Sequence, residues 1–193
     1  MPATPTIALF ARYPRPGQAK TRLAPLLGDA GAAEVHRRLV ERTLATLRAS
    51  GLPFAVHFTG ACAADFAEWL GGDVPLIEQG EGDLGARLAR VAAPAISLGA
   101  DVPGLTADHL REAARALEDV PVVVGPASDG GYYLLGFTAQ VPQLWRDMPW
   151  GSDMVLKETE ARLFVLGISY RLLGVLDDCD RPEDLTDWPE LVP

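Results

Sequence analysis

The sequence predicts an α/β layer domain with a mostly parallel sheet, and three observations carry that reading. Apolar, strand-like runs alternate with helix-periodic segments from one end of the chain to the other. The first run, Thr6–Ala11, is continuously apolar, as a strand buried on both faces must be. The 193 residues are enough for a real core, and 48% hydrophobic with 22% charged residues is ordinary for a globular chain.

Each element has its own signal. Ala30–Ser50 reads as a long helix, because Val35, Leu39, Thr43, Leu44 and Leu47 share one stripe and Gly51 supplies the stop. Phe54–Thr59 is a second strand, Ala63–Leu70 a helix and Val74–Glu78 a short third strand. Asp83–Val91 is expected to be helical, and Ala95–Gly99 a fourth strand leading to Asp101. Thr106 is placed to cap the next helix, with Leu105 and Leu110 as a hydrophobic staple and Leu110, Ala113, Ala114 and Leu117 as its buried face. Val122–Val124 and Tyr132–Phe137 follow as strands, Ser152 caps a helix reaching about Leu166, and Ile168–Leu173 is the last strand. No repeat, low-complexity run or linker interrupts this series, so residues 1–193 are expected to form a single domain.

Composition excludes several classes. No apolar run approaches the length of a membrane span. The start, Met1-Pro2-Ala3-Thr4-Pro5, lacks the basic region of a signal peptide, which leads to the expectation of a cytoplasmic protein. Cys62 and Cys179 are too few and too far apart for a disulfide framework or a zinc site. A net charge of -9 argues against a nucleic-acid or anionic-membrane surface. The charge is uneven, however. Residues 1–50 carry eight basic and three acidic side chains, a net of +5, and the remainder nets −14. A locally positive pocket in an acidic protein suits a small anionic ligand, although Arg37, Arg38, Arg42 and Arg48 fit equally well on the wet face of a helix.

The basic excess centres on the loop Phe10–Leu23, which leaves the first strand and so lies near the ligand-binding carboxyl edge of such a sheet. Pro14 and Pro16 stiffen it and Gly17 permits a turn, presenting Arg12, Arg15, Lys20 and Arg22 as donors suited to a polyphosphate. Only two lysines, Lys20 and Lys157, stand against fifteen arginines, so Lys20 is not this chain's habitual choice of cation. The plain alternative is a solvated basic loop; the Walker A pattern is absent.

Carboxylates supply the complementary signal. Asp101 ends the fourth strand in Leu98-Gly99-Ala100-Asp101-Val102-Pro103-Gly104, where a Mg²⁺ ligand must sit to meet phosphates at the sheet edge. Asp177-Asp178-Cys179-Asp180 packs carboxylates that repel unless a cation relieves them, and either Asp178 or Asp180 qualifies as a second metal ligand. A solvated turn entering a C-terminal helix at Pro182 is the alternative, with Glu183 and Asp184 in its first turn. In Ala127–Tyr133, a flexible Asp129-Gly130-Gly131 turn precedes Tyr132 and Tyr133, and Asp129 qualifies as a general base. Trp150 and Asp153, just before a helix, read with Tyr132 as acceptor-side residues, or simply as turn and core residues.

One pattern is misleading. Gly80-Glu81-Gly82-Asp83-Leu84-Gly85 spells a dinucleotide fingerprint, but Glu81 and Asp83 put negative charge where a pyrophosphate would bind. A loop closing over a base or sugar, with Gly82 in its turn and Arg87 nearby, accounts for it better.

The segments Phe10–Leu23, Gln79–Arg87, Gly99–Leu105, Asp129–Tyr133, Trp150–Asp153 and Asp178–Leu185 together resemble a bacterial family of radical-SAM/selenodomain-associated, glycosyltransferase-like transferases. That family is similar to the GT-A superfamily of nucleotide-diphospho-sugar transferases. Ala19–Leu23 also matches the Ala-Lys-Thr-Arg-Leu segment of phospholactate guanylyltransferases. The resemblance implies a three-layer α/β/α sandwich with a mixed, mostly parallel sheet, a nucleotide site and Mg²⁺ (or Mn²⁺) as cofactor. It implies phosphate contacts from Arg12, Arg15, Gly17, Lys20 and Arg22, and a metal on Asp101. Asp180 resembles the Asp of an Asp-Thr-Pro-Glu-Asp-Leu segment in related nucleotidyltransferases, with Arg181 replacing its Thr. The Gly-Gly-x-Ser-x-Arg-Met-Gly loop of molybdopterin guanylyltransferases is absent.

The expected activity is transfer from a nucleotide-diphospho-sugar to a small acceptor, with Lys20 and Asp129 as catalytic residues. Nucleotidyl transfer with pyrophosphate release, and a non-catalytic nucleotide sensor, are the alternatives.

Overall fold

The computed structural model describes residues 3–193. Strands β1 (Thr6–Arg12), β2 (Phe54–Thr59), β3 (Leu76–Glu78), β4 (Ala95–Leu98), β5 (Val122–Pro126), β6 (Tyr132–Phe137) and β7 (Tyr170–Leu172) form one sheet in the order β3-β2-β1-β4-β6-β5-β7. All pairings are parallel except those of β6, which runs against both β4 and β5. The helices are α1 (Ala24–Ser50), α2 (Ala63–Leu70), α3 (Leu84–Leu88), α4 (Ala107–Asp119) and α5 (Val155–Val165).

Side chains alternate across the strands, and each face receives its own helical layer. On one face, Ile7, Leu9, Val56 and Ile96 pack with Leu44 and Leu47 of α1, Phe66 of α2 and Leu110 and Leu117 of α4. On the other, Ala8, Val122, Val124, Leu135 and Phe137 pack with Leu88 of α3, Leu163 of α5 and the intervening Trp145. The architecture is therefore a three-layer α/β/α sandwich. A third cluster joins Leu23, Val35 and Leu39 to Cys179, Leu185 and Leu191, so the C-terminal segment is anchored beside the loop that follows β1.

Several boundaries differ from the expectations, each for a local reason. The first helix starts at Ala24 rather than Ala30, because a break at Gly28 (φ 70°, ψ 169°) lets an extra turn precede the periodic stripe. The expected helix over 83–91 is only Leu84–Leu88, started by Asp83, whose own carboxylate accepts from the Ala86 N–H at 2.8 Å. Ser152 is not the cap of α5; its hydroxyl accepts from the Met154 N–H, and the helix begins at Val155. The C-terminal helix expected at Pro182 is a single 3-10 turn, Pro182–Thr186, whose entry is closed by Asp184 accepting from the N–H groups of Asp180 and Arg181. Thr106 does cap α4. Among the described residues, no helix is long and apolar enough to cross a membrane.

The strand order sets where a ligand can enter. From β1 the chain moves outward through β2 to β3, then returns to place β4 on the other side of β1. The connections from β1 and β4 thus leave in opposite directions and open a crevice at their carboxyl ends. Because β6 is antiparallel, its amino end at Tyr132 reaches the same edge, and so does the carboxyl end of β7.

Candidate active site

Four segments meet at that crevice. After β1, hydrogen bonds from the Arg15 N–H to the Tyr13 carbonyl and from the Gln18 N–H to the Arg15 carbonyl fold the chain into tight turns, with Gly17 at φ 75°. Lys20 then adopts the left-handed conformation (φ 49°, ψ 42°), which is rare for a side chain of its kind and costs about 1 kcal/mol. The twist directs its ammonium inward. Nζ lies 2.6 Å from Asp101 Oδ1 and 3.4 Å from Asp180 Oδ1, with only 4% of the side chain exposed.

Asp101 follows β4, and its carbonyl accepts from the Cys179 N–H at 2.7 Å, which joins the turn after β7 to the loop after β4. Enclosure pushes the Asp101 carboxyl up, but Lys20's charge and hydrogen bond, helped by nearby His36, outweigh that and hold it below its ordinary value. Burial pulls Lys20 down, yet Asp101 and Asp180 leave it raised, so the pair is ionised. Half of the Asp101 side chain (54%) stays exposed to the crevice. Asp180 spends both oxygens on cations, Oδ1 on Lys20 and Oδ2 on Arg22 Nη1 at 2.5 Å.

Asp101 also lines a cavity of about 140 Å³ together with Asp129 and Asp178. Asp129 is held by its own turn, accepting from the Gly131 N–H at 2.8 Å. Gly130 (φ 89°) allows that turn to lie on the backbone of Asp153, where any Cβ would collide. The Gly130 carbonyl accepts from the Leu156 N–H, so α5 fixes the position of Asp129. Burial, and then the neighbouring charge of Asp129, raise the Asp178 carboxyl. The carboxylates lining this cavity, one of them destabilised by a like charge, offer hard oxygen ligands of the kind a Mg²⁺- or Mn²⁺-sized cation takes one or two of, beside phosphate and water. Among the described residues, no group of three or more His, Cys, Asp or Glu side chains is placed to hold a metal ion, so a cation here would rest on one or two carboxylates with phosphate and water. Asp178 lines the cavity, whereas Asp180 is bound to Lys20 and Arg22.

The other sequence candidates divide. Arg12 and Arg15 are exposed and form no ion pair among the described residues; Arg15 lies over the Tyr13 ring at 5.8 Å. Arg22 is exposed and pairs with Asp180. Gly82 (φ 100°) and Arg87 hold each other: Arg87 Nε donates to the Gly82 carbonyl and Nη1 to Gln79 Oε1, both at 3.0 Å. Gln79 in turn donates to the carbonyls of His57 and Ala11. This loop is welded to the ends of β1 and β2, and the start of α3 is already occupied by Asp83. Tyr132 and Trp150 meet edge to face at 6.4 Å, and their polar atoms are buried without partners. Tyr132 lines the cavity as well as an adjoining one of about 290 Å³ beneath α3. Trp150 instead packs against Gly85, and Asp153 is exposed.

Sequence reasoning did not single out His36 or Gln79. His36 is buried on the inner stripe of α1 and its Nε2 lies 2.9 Å from the Arg12 carbonyl, tying the base of the cationic loop to the helix. A polar residue within the run Ala32, Val35, Leu39, Val40 and Thr43 was the available signal. Cys179 is fully buried, and burial pushes its thiol up to about 11, so it serves as packing.

A family model matches residues 43–152. The chain belongs to the DUF2064 family. That family is described as an uncharacterized protein conserved in bacteria. The match includes Asp101 and Asp129 but neither the Lys20 loop nor Asp178. No curated protein matches this DUF2064 chain in sequence. Among solved structures it is similar to a "putative nucleotide-diphospho-sugar transferase" from Desulfovibrio desulfuricans G20, with TM-score 0.90, 27% identity and coverage of 96% of this chain and 86% of that one. The inositol-1-phosphate CTP transferase from T. maritima shares the fold at TM-score 0.60 and 15% identity, over 99% and 96% of the two chains. Rv0371c from Mycobacterium tuberculosis, in complex with manganese, shares it at 0.53 and 19%, over 98% of each. The Desulfovibrio protein carries a transferase name, which supports an enzyme.

Proposed function

We propose that this chain is a divalent-metal-dependent transferase that draws on a nucleotide-diphospho-sugar and passes the sugar to a small acceptor. The observation that carries the reading is the meeting of Lys20, from the loop after β1, with Asp101, from the loop after β4, at the crevice where the connections diverge. Asp129 and Asp178 line the adjoining cavity. The name of the Desulfovibrio relative and the resemblance to radical-SAM/selenodomain-associated transferases support the same choice. We take residues 1–193 as one catalytic unit. We place the reaction in the cytoplasm, in keeping with the free thiols Cys62 and Cys179.

The donor's diphosphate lies against the loop after β1, where Arg12 and Arg15 contribute exposed guanidinium groups and Lys20 a buried ammonium. Asp101 and Asp178 would hold the metal, and the chemistry it would supply is neutralisation of charge developing on the leaving diphosphate. Asp129 accepts the acceptor hydroxyl's proton as its oxygen bonds to the anomeric carbon. The bond from that carbon to the diphosphate breaks, and the nucleoside diphosphate leaves. Gly82 and Arg87 shape the loop at the nucleoside end, and Tyr132 borders the acceptor.

The cationic loop favours a second reading, nucleotidyl transfer from a nucleoside triphosphate. Arg12 and Arg15, both exposed and free of ion pairs among the described residues, can neutralise a longer phosphate chain. Incubation with a panel of nucleotide sugars and nucleoside triphosphates, with and without Mg²⁺ or Mn²⁺, decides between them. Nucleoside diphosphate release is the expected result. Pyrophosphate release establishes the second reading, and tight binding without turnover leaves a sensor.

A further inference from the structure

We infer that Lys20 is an internal substitute for the metal, holding Asp101 in the free protein and passing to the donor's phosphate as the metal arrives, so that metal and nucleotide enter as a pair. The inference rests on the proposed metal site and concerns what guards it. Three features single out this side chain. Its ammonium is the cation in contact with Asp101, at 2.6 Å. It is almost wholly buried, although the carboxylate it holds is half exposed. Its backbone is held in the left-handed region, a conformation that persists only where the surroundings enforce it.

A divalent cation approaching Asp101 meets this ammonium at close range, and the two repel. In the free protein no second anion among the described residues is at hand to take the place of Asp101 beside Asp180, and a buried ammonium left with the longer pair alone is costly. A polyphosphate beside the loop removes the obstacle by offering Lys20 a replacement anion. Asp180 provides the pivot. It holds Lys20 at 3.4 Å, is itself braced by Arg22, and its backbone N–H is fixed by Asp184, so the lysine can exchange one partner while keeping the other. Metal alone therefore binds weakly, and the free site stays closed to stray divalent cations.

The test is titration of Mn²⁺ alone into the intact protein, with free Mn²⁺ read by electron paramagnetic resonance. Wild type is compared with Lys20→Met and with Lys20→Asn, the latter suited to the left-handed backbone. Both variants are expected to bind Mn²⁺ at least about tenfold more tightly than wild type, because a competing charge has gone. Adding Asp101→Asn to either should abolish the gain. Equal Mn²⁺ affinity in wild type and both variants, with binding still lost in Asp101→Asn, overturns the guard but leaves the metal site standing. Absence of Asp101-dependent Mn²⁺ binding in every protein overturns both.

Discussion

Arg22 Nη1 lies 2.5 Å from Asp180 Oδ2, tying the turn after β7 to the loop after β1. With one oxygen on Arg22 and the other on Lys20, Asp180 acts as a brace, and Asp178 remains to face Asp101 across the cavity. The two aspartates should separate experimentally. Asp178→Asn is expected to lower metal-dependent kcat/KM on the order of 100-fold, because it removes charge stabilisation at the reacting centre. Asp180→Asn removes one of the two carboxylates beside the buried Lys20 ammonium, so it should cost about 1–3 kcal/mol in stability, and act mainly on KM. Steady-state kinetics of both variants checks this, and equal losses of kcat would assign Asp180 to the metal.

Gly130 places the Asp129 carboxylate. A Cβ there collides with the backbone of Asp153, and φ is 89°. Gly130→Ala should destabilise the protein by about 1–3 kcal/mol and displace Asp129 from the cavity. Turnover should then fall further than the loss of folded protein explains, which chemical denaturation together with activity per folded molecule will measure.

Gly85 lets α3 lie directly against the Trp145 backbone. Its Cα packs on the Trp145 carbonyl, and an added Cβ would also press on Trp150 Nε1 at 3.1 Å. Gly85→Ala is expected to lower stability by about 1–3 kcal/mol through overpacking. Thermal unfolding of the variant is the measurement, and an unchanged Tm would show that α3 can shift at little cost.

His57 makes stability depend on pH. Burial lowers its imidazole below the ordinary 6.5, and the ring stacks on Phe10 at 5.3 Å. The unfolded chain therefore takes up the proton first, so the stabilisation is complete above pH 6.5 and is lost as pH falls through the folded-state value. Tm measured from pH 7 to 5 should decline in wild type. His57→Phe keeps an aromatic stack and removes the proton, so its decline should be shallower. Parallel curves would count against His57 as a source, leaving His36, which burial also lowers.

Much of this molecule is legible along the chain. The apolar run after Thr4 and Pro5 announced β1, the Thr106 cap announced α4, and Lys20 and Asp101 stood out by residue type and position after a strand. The G-x-G-x-x-G segment carries acidic residues where a pyrophosphate would bind, and in the structure Asp83 itself accepts from the first turn of α3. Arg87 shows the limit. Its guanidinium is spent on Gly82 and Gln79, and Gln79 on the carbonyls of Ala11 and His57, partners 68 and 22 residues from it. A cation fastening a loop and a cation awaiting a phosphate look alike in sequence.

By itself the sequence determined the alternation of strands and helices, the cationic loop and the acidic strand ends, because these follow from local periodicity, turn chemistry and charge. Only the tertiary structure decided which of them meet. The insertion of β4 beside β1, the reversal of β6 and the return of the chain after β7 bring Lys20, Asp101, Asp129 and Asp178 to one edge. Strand order and burial are properties of the packed sheet, so which of Asp178 and Asp180, two residues apart, lines the cavity and which pairs with Lys20 and Arg22 had to await the fold.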